Sequence, residues 1–344
     1  MSFGTNRVLN VYNKFYEKKN KIQFKDYIFK IYEDEILGEE IRILACSRNK
    51  IYTCANIINN KKYLDFKLDI NPNLFFLIKK EDNYFACYEK EVVVYNKSKI
   101  INKYPKTIYI EFPKSGIFID DDYIVFKSTN IVFNELILYN IKQKVIVSLT
   151  RKYSLIYSSN GLAFNKNNIL LCACKKYTKK QKNGILLIYF KDILNNIEFD
   201  KYFYDTKNFE VYCLCWLLKI KKDKKVNILN NNSIKDEFSN YFLVGGFNGD
   251  KNQGLIKLYK VIYSDKFNDL KIEYINDINI MNSLNKDFRG FKGPITSIIQ
   301  SNIDRNILIT CWDGNVYLLS EDNLINFYDN EEHDILINKF FKVE

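Results

Sequence analysis

Glycine and proline are scarce in this chain of 344 residues, at 12 and 4. A β-rich chain normally draws on both for its tight turns, so Asn, Asp and Lys must fill those positions here. Histidine is scarcer still, with only His333. That excludes Ser-His-Asp and Cys-His chemistry except around one residue in a charged C-terminal stretch. No phosphate-cradling glycine loop exists: "GGFNGDKNQG" (245–254) lacks the spacing and reads as a β-hairpin. Apolar runs such as "GILLIYF" fall far short of the roughly 20 residues that span a bilayer. "MSFGTNRVLN" has no apolar core of a secretory signal. The eight cysteines, at 46, 54, 87, 172, 174, 213, 215 and 311, are therefore expected as free thiols in a reducing compartment, cytoplasmic or nuclear.

What is abundant points to strands. There are 26 Tyr and 26 Phe, and Ile and Val recur beside them in short runs. Lys, Asn, Ile, Tyr and Phe share A/T-rich codons, and that bears on the charge. The 52 Lys and Arg against 41 Asp and Glu leave a formal net charge of +11. A basic balance suggests nucleic acid or an anionic membrane as partner. Lysine supplied by codon usage would instead be scattered over a solvated surface.

The stretch "NILITCWDGNVYLLSED" (306–322) shows how the runs are organised. "ILIT" is a strand, Asp313-Gly314 is a tight-turn signal, and "NVYLL" is a second strand. With Ile295–Gln300 before it, the pattern is strand, turn, strand, Asp-Gly turn, strand. Similar third strands, apolar and mostly ending in an aromatic, occur at 7–13, 62–68, 91–96, 135–140, 184–190, 254–260 and 315–320. Tyr12, Phe66, Tyr95, Tyr139, Tyr189 and Tyr259 take the aromatic position, with Leu319 in the last. Second strands precede most of them: "KIYTCAN", "YFACYE", "YIVFKS", "NILLCAC", "YFLVGG" and "NILITCW". First strands include "EIRILAC", "LFFLIK", "GIFIDD", "GLAFN" and "VYCLCWLL".

These patterns resemble the blades of a divergent WD40-like β-propeller. The resemblance implies an all-β, seven-bladed propeller spanning 1–344, with six blades as the alternative. The ring would be closed by the N- and C-terminal strands, "DILINKFFKVE" completing the blade that "RVLNVYN" begins. The naming Trp-Asp of the family ends a third strand, whereas Trp312-Asp313 ends a second. One histidine also cannot build the buried Asp-His-Ser/Thr-Trp network of strict repeats. Two shorter likenesses accompany this one. "YFLVGGFNGDKNQGLIKLYKV" and "FKGPITSI" resemble part of the propellers shared by a cleavage/polyadenylation specificity factor subunit and a damaged-DNA-binding protein. "DFRGFKG" (287–293) is similar to the Phe-Arg-Arg-Gly motif of phosphoinositide-binding propellers, with Gly290 in place of the second Arg.

Three insertions break the rhythm, at 175–183, 219–240 and 262–293. In propellers the second–third hairpins and the blade-to-blade links share one face. That places Lys175, Lys176, Lys179, Lys180 and Lys182 beside Lys286, Arg289 and Lys292 as a candidate partner- or anion-binding face. Insertion 219–240 would emerge on the opposite face. The acidic run 120–122 reads as a solvated turn. The pairs Cys172/Cys174 and Cys213/Cys215 read as buried core cysteines, because residues i and i+2 of a strand share a face. No metal or cofactor is expected. The function implied is a non-catalytic protein-interaction scaffold within an intracellular assembly. An RNA- or phosphoinositide-binding propeller is the alternative.

Overall fold

The computed structural model describes the strands named in this section. It also describes residues 119–120, 122, 141–143, 145, 161, 165, 168, 197, 208, 249–252, 278, 291–294, 301, 305–306 and 312–313 between them. They are all-β, with no helix among the described residues. The chain divides into two compact units, Met1–Leu149 and Thr150–Glu344.

The first unit carries four sheets of sequential antiparallel strands. Sheet one contains β1 (Ser2–Thr5), β2 (Val8–Tyr12) and β3 (Lys18–Gln23). Sheet two contains β4 (Ile28–Leu37), β5 (Glu40–Ser47), β6 (Ile51–Cys54) and β7 (Tyr63–Phe66). Sheet three contains β8 (Leu74–Lys80), β9 (Asn83–Tyr88), β10 (Glu91–Asn96) and β11 (Lys99–Pro105). Sheet four contains β12 (Ser115–Phe118), β13 (Tyr123–Thr129), β14 (Asn134–Asn140) and β15 (Ile146–Thr150), the last reaching the unit boundary. Strong apolar runs fill the middle strands; Ile124, Val125, Phe126, Leu136 and Leu138 are fully buried. The acidic run folds as expected. Asp120 Oδ1 accepts from the backbone N–H groups of Asp122 (2.8 Å) and Tyr123 (2.7 Å), and Asp122 pairs with Lys142 at 2.8 Å.

The second unit carries three sheets. Sheet five contains β16 (Tyr153–Leu155) and β17 (Leu162–Phe164), which both pair with β18 (Ile169–Lys176), then β19 (Lys182–Asp192) and β20 (Glu198–Lys207). Sheet six contains β21 (Phe209–Leu218), β22 (Phe238–Asn248), β23 (Gln253–Ser264) and β24 (Asp269–Asp277). Sheet seven contains β25 (Ile280–Met281), β26 (Ile295–Gln300), β27 (Ile307–Cys311), β28 (Asn315–Leu319) and β29 (Ile335–Lys342). Among the described strands, β25 pairs in parallel with β29.

Strand alternation decides how these sheets stack. In β22, Phe242 and Val244 join a core layer with sheet five, while Leu243 joins a second layer with sheet seven. Sheet six is thus buried on both faces, which is why its central strands read as unbroken apolar runs. In β21 the alternation changes phase. Val211 faces sheet five, but Cys213 faces sheet seven, and Leu214 and Trp216 face sheet five again. The ladder with β22 slips one residue between Val211 and Cys213, a β-bulge that absorbs Tyr212.

Three expectations from the sequence need correction. The C-terminal strand β29 pairs with β28, with Val316 opposite Phe341, and does not pair with β2. A chain returning from a strand meets its own neighbour first. In sheet two, "EIRILAC" is the second strand and "KYLDFKL" the fourth, because β4 precedes them. The acidic "EDE" within β4 hides it from a search for apolar runs. In sheet five, Tyr189 turns toward sheet six, and the aromatic on the other face is Phe190, fully buried between Phe164 and Phe199. Tyr259 in sheet six points back toward sheet five, so the matching letter in β19 is one residue later.

Gly245 sets how closely sheet seven approaches. A Cβ there would stand 2.6 Å from Cys213 Sγ and 2.6 Å from Ile295 Cγ2. A Cβ on Gly249, in the hairpin, would meet nothing within 4 Å. Gly245→Ala should therefore lower the unfolding free energy by about 1–3 kcal/mol through overpacking. Gly249→Ala should be neutral or slightly stabilising. Urea unfolding of the two variants checks the contrast, and equal midpoints would contradict this packing.

Candidate functional site

At one end of sheets five to seven the hairpins and links form a continuous edge. Hairpin β18–β19 closes with Lys176 opposite Lys182. Its Asn183 side chain donates to the Lys207 carbonyl at 3.3 Å, in the link to sheet six. That link turns sharply. Lys207 holds φ 57°, a left-handed conformation uncommon for a residue with a Cβ. The Thr206 hydroxyl, donating to the Phe209 carbonyl at 2.7 Å, and Asp205, accepting from the Lys207 N–H at 2.9 Å, fix the turn. Asn208 then donates to Asp250 at 2.6 Å, joining the link to hairpin β22–β23. Gly254 donates to the Phe291 carbonyl at 3.2 Å, joining that hairpin to the next link. A side chain on Gly254 would strike the Gly293 carbonyl, so this approach requires glycine. Finally the Lys292 N–H donates to Asp313 at 3.3 Å, joining the link to hairpin β27–β28.

Asp313 is the fixed point of that last hairpin. Besides Lys292 it accepts from the Tyr317 hydroxyl at 2.9 Å, and the Tyr317 ring packs edge-on against Phe291 at 4.7 Å. Hairpin and link are tied together by an aspartate and a tyrosine, with no histidine. The neighbouring Trp312 adds its backbone N–H, donating to the Pro294 carbonyl at 3.0 Å, but its side chain takes no part. It is 76% exposed at the tip of the turn, which confirms that this Trp-Asp is not a buried repeat signature.

Four of the candidate cations lie on the described edge, and three of them are already engaged. Lys175 pairs with Glu210 at 2.7 Å, and Lys182 pairs with Asp205 at 2.8 Å. The Lys176 ammonium sits 5.4 Å above the Phe203 ring. Lys292 is exposed. Lys179, Lys180, Lys286 and Arg289 lie outside the described residues, as do His333 and insertion residues 219–237. Sequence reasoning passed over the exposed lysines Lys207 and Lys251 and weighed Trp312 only as half of a Trp-Asp pair at the end of the wrong strand. Alternation offers a signal for Trp312. Ile307, Ile309 and Cys311 point inward, so the next residue must point out.

The cysteine pairs diverge. Cys213 and Cys215 face sheet seven, while Cys172 and Cys174 lie on the face of β18 opposite Leu171 and Ala173, which pack toward sheet six. They are free thiols, and burial pushes Cys213 well above the usual thiol range. No group of three His, Cys, Asp or Glu able to hold a metal occurs among the described residues. A cleft of about 200 Å³ lies between sheets five and six, floored by Leu187 and Leu270 and rimmed by Asp200, Lys201 and Lys271. Asp200 is taken up by Lys191 at 2.7 Å.

Comparison with solved structures decides the fold. The C-terminal WD40 domain of Sif2 matches with a TM-score of 0.50 at 11% identity, over 98% of this chain and 80% of that one. Hsv2 of Kluyveromyces lactis matches with a TM-score of 0.51 at 8% identity, over 88% and 79%. The fold is that of a WD40-like β-propeller. Hydrazine synthase of Kuenenia stuttgartiensis also matches, with a TM-score of 0.53 at 8% identity over 84% and 76%. A likeness that includes an enzyme speaks for the propeller fold and not for an activity. No protein-family model matches the sequence, and no curated protein does. No helix among the described residues is long and apolar enough to cross a membrane.

The Lys175–Glu210 pair gives the edge a pH dependence. The hydrogen bond from Lys175 holds the Glu210 carboxyl below its usual range against the opposing effect of burial, and Tyr212 adds a second donor. A depressed carboxyl stabilises the fold above the ordinary carboxylate range and loses that contribution as pH falls through the folded value. Lys175→Met should cost less than about 1 kcal/mol at neutral pH, because both side chains are partly solvated. The deficit should shrink as pH falls through the depressed Glu210 value, where the carboxyl that Lys175 holds becomes protonated. Urea midpoints across that range test the sign; a deficit that stays constant down to acid pH contradicts the assignment.

Proposed function

We propose that this protein is a non-catalytic scaffold that holds a protein partner on the edge formed by its hairpins and links. The observation that carries the reading is the unbroken chain of contacts from Asn183 to Lys207, Asn208 to Asp250, Gly254 to Phe291 and Lys292 to Asp313. Loops tied this way give a preorganised surface, so binding need not first order them. Lys175, Lys176, Lys182 and Lys292 belong to that surface, and Lys179, Lys180, Lys286 and Arg289 are assigned to it by sequence. The RNA or phosphoinositide reading draws less support, since Lys175 and Lys182 already neutralise carboxylates. Purification from native cells under gentle conditions should recover a partner in stoichiometric amount. Recovery of the free monomer alone would count against the scaffold.

We further infer that the seven sheets of the described residues are seven blades of a single ring over 1–344, in which the sheets built by the N-terminal and C-terminal strands meet. Closure leaves no sheet stack with an uncovered end. One ring should unfold in one cooperative step. Calorimetry of the full chain should then give a single transition, and residues 150–344 expressed alone should be insoluble or molten. Two independent transitions, or a well-folded 150–344 fragment, would replace the ring with two separate domains.

A further inference from the structure

Trp312 and three lysines form a strip along the same edge that nothing else in the fold accounts for. Trp312 is 76% exposed, while the chain's other tryptophan, Trp216, is 4% exposed and donates to the Ala163 carbonyl at 3.2 Å. A tryptophan left in solvent keeps a large apolar area wet, and tryptophan is among the side chains most enriched at the energetic centres of interfaces. Its position is rigid. Asp313, next in the chain, is held by Tyr317 and by the Lys292 N–H, and Pro294 accepts from the Trp312 N–H at 3.0 Å.

The charges along the strip differ in their partners. Two of its carboxylates are neutralised by lysines, Asp205 by Lys182 and Glu210 by Lys175, while Asp250 and Asp313 accept from the neutral Asn208 and Tyr317 side chains and keep their charge. Lys207, Lys251 and Lys292 are exposed; the Lys207 charge helps hold the Asp205 carboxyl below its usual range, while Lys251 and Lys292 enter no ion pair among the described residues. They stand on the link after sheet five, the hairpin of sheet six and the link before β26, in the order in which the contacts join these segments. Lys207 is presented from its left-handed turn at φ 57°. The three lysines are thus spaced along the strip among two carboxylates that no lysine neutralises, Asp250 and Asp313, and the strip ends beside one exposed indole.

We propose that this strip binds an acidic segment of a partner protein, one apolar side chain of which packs on Trp312 while flanking carboxylates meet Lys292, Lys251 and Lys207. The proposal rests on the scaffold reading and names the partner's chemistry. A peptide is favoured over single-stranded nucleic acid for two reasons. Asp250 stands beside Lys251 and Asp313 beside Lys292, so a backbone charged at every nucleotide would meet carboxylates as well as ammonium groups, whereas a peptide can space its charges. Nucleic-acid grooves also rely on successive aromatic platforms, and this strip offers one ring.

The test uses the full chain. A display library of 12-residue peptides is selected on the unaltered protein, and binding of the enriched peptides is followed by Trp312 emission and by calorimetry. Acidic peptides with a central apolar residue should be enriched. Their affinity should fall at least roughly tenfold in Trp312→Ala, fall again in Lys251→Glu/Lys292→Glu, and weaken with added salt. Trp312→Ala should keep the parent's thermal midpoint, so loss of binding is not loss of fold. Enrichment of non-acidic peptides, of none, or of peptides indifferent to Trp312→Ala overturns the proposal. So does tighter, Trp312-dependent binding of oligouridylate. Parallel purification from native cells separates this proposal from the scaffold reading. A partner recovered equally by the unaltered protein and by Trp312→Ala overturns the strip and leaves the scaffold standing; no partner for the unaltered protein overturns both.

Discussion

Sheet six has protein on both faces, and the second half of the chain is arranged around that constraint. Trp216 packs on Phe242 at 5.3 Å, Phe242 stacks on Tyr259 at 5.6 Å, and Tyr259 meets Tyr204 of sheet five edge-on at 5.5 Å. Aromatic pairs at these separations and tilts add to the burial of their area. On the other face, Leu243, Ile256 and Leu258 meet Ile295, Ile309 and Leu319 of sheet seven, with Gly245 making room for Ile295. A polar residue cannot enter either layer cheaply without a partner, which limits where the lysines of this chain can go.

The described lysines are used in two ways. Some are consumed. Lys257 shows this most fully: it lies 4.9 Å above Phe209 and 5.2 Å above Tyr274, and reaches Asp277 at 3.3 Å. Lys175 and Lys182 are consumed by Glu210 and Asp205. Others, such as Lys251 and Lys292, carry their charge outward. A net charge of +11 therefore says little about function until each cation is assigned a neighbour. Lysine-rich composition supplies the material, and pairing decides which part of it remains available to a partner.

Much of the strand order was legible because burial on two faces writes itself into the sequence as short apolar runs between polar turns. β8 to β10, β12 to β14 and β26 to β28 fall where "LFFLIK", "YFACYE", "EVVVYN" and their counterparts lie. What was not legible has particular causes. β4 is the edge strand of sheet two and carries acidic residues, which an edge tolerates, so it left no apolar signal. The bulge at Tyr212 and the reversed facing of Tyr189 and Phe190 are one-residue phase shifts. Such shifts leave composition and spacing unchanged while sending side chains to the opposite layer. The candidate edge was legible as a place, from the turns, but not as a set of free groups. Whether Lys175 is available depends on Glu210, thirty-five positions away in sequence and 2.7 Å away in space.

The Asp313 hairpin shows how a WD40-like propeller is kept together with so little histidine and glycine. The task at such a hairpin is to fasten the turn between two strands to the link arriving from the neighbouring sheet. Here one carboxylate oxygen does it, accepting from the Tyr317 hydroxyl and from the Lys292 backbone N–H. The apolar part of the fastening comes from Phe291, which is buried against Tyr317 and bonded through its carbonyl to Gly254. Because a backbone N–H replaces an imidazole donor, the link needs no particular side chain at 292, and lysine there is free to face solvent. The same economy frees residue 312. With Asp313, Tyr317 and the Trp312 backbone N–H carrying the hairpin, the indole itself has no structural task, and its exposure becomes a property of the surface rather than of the core.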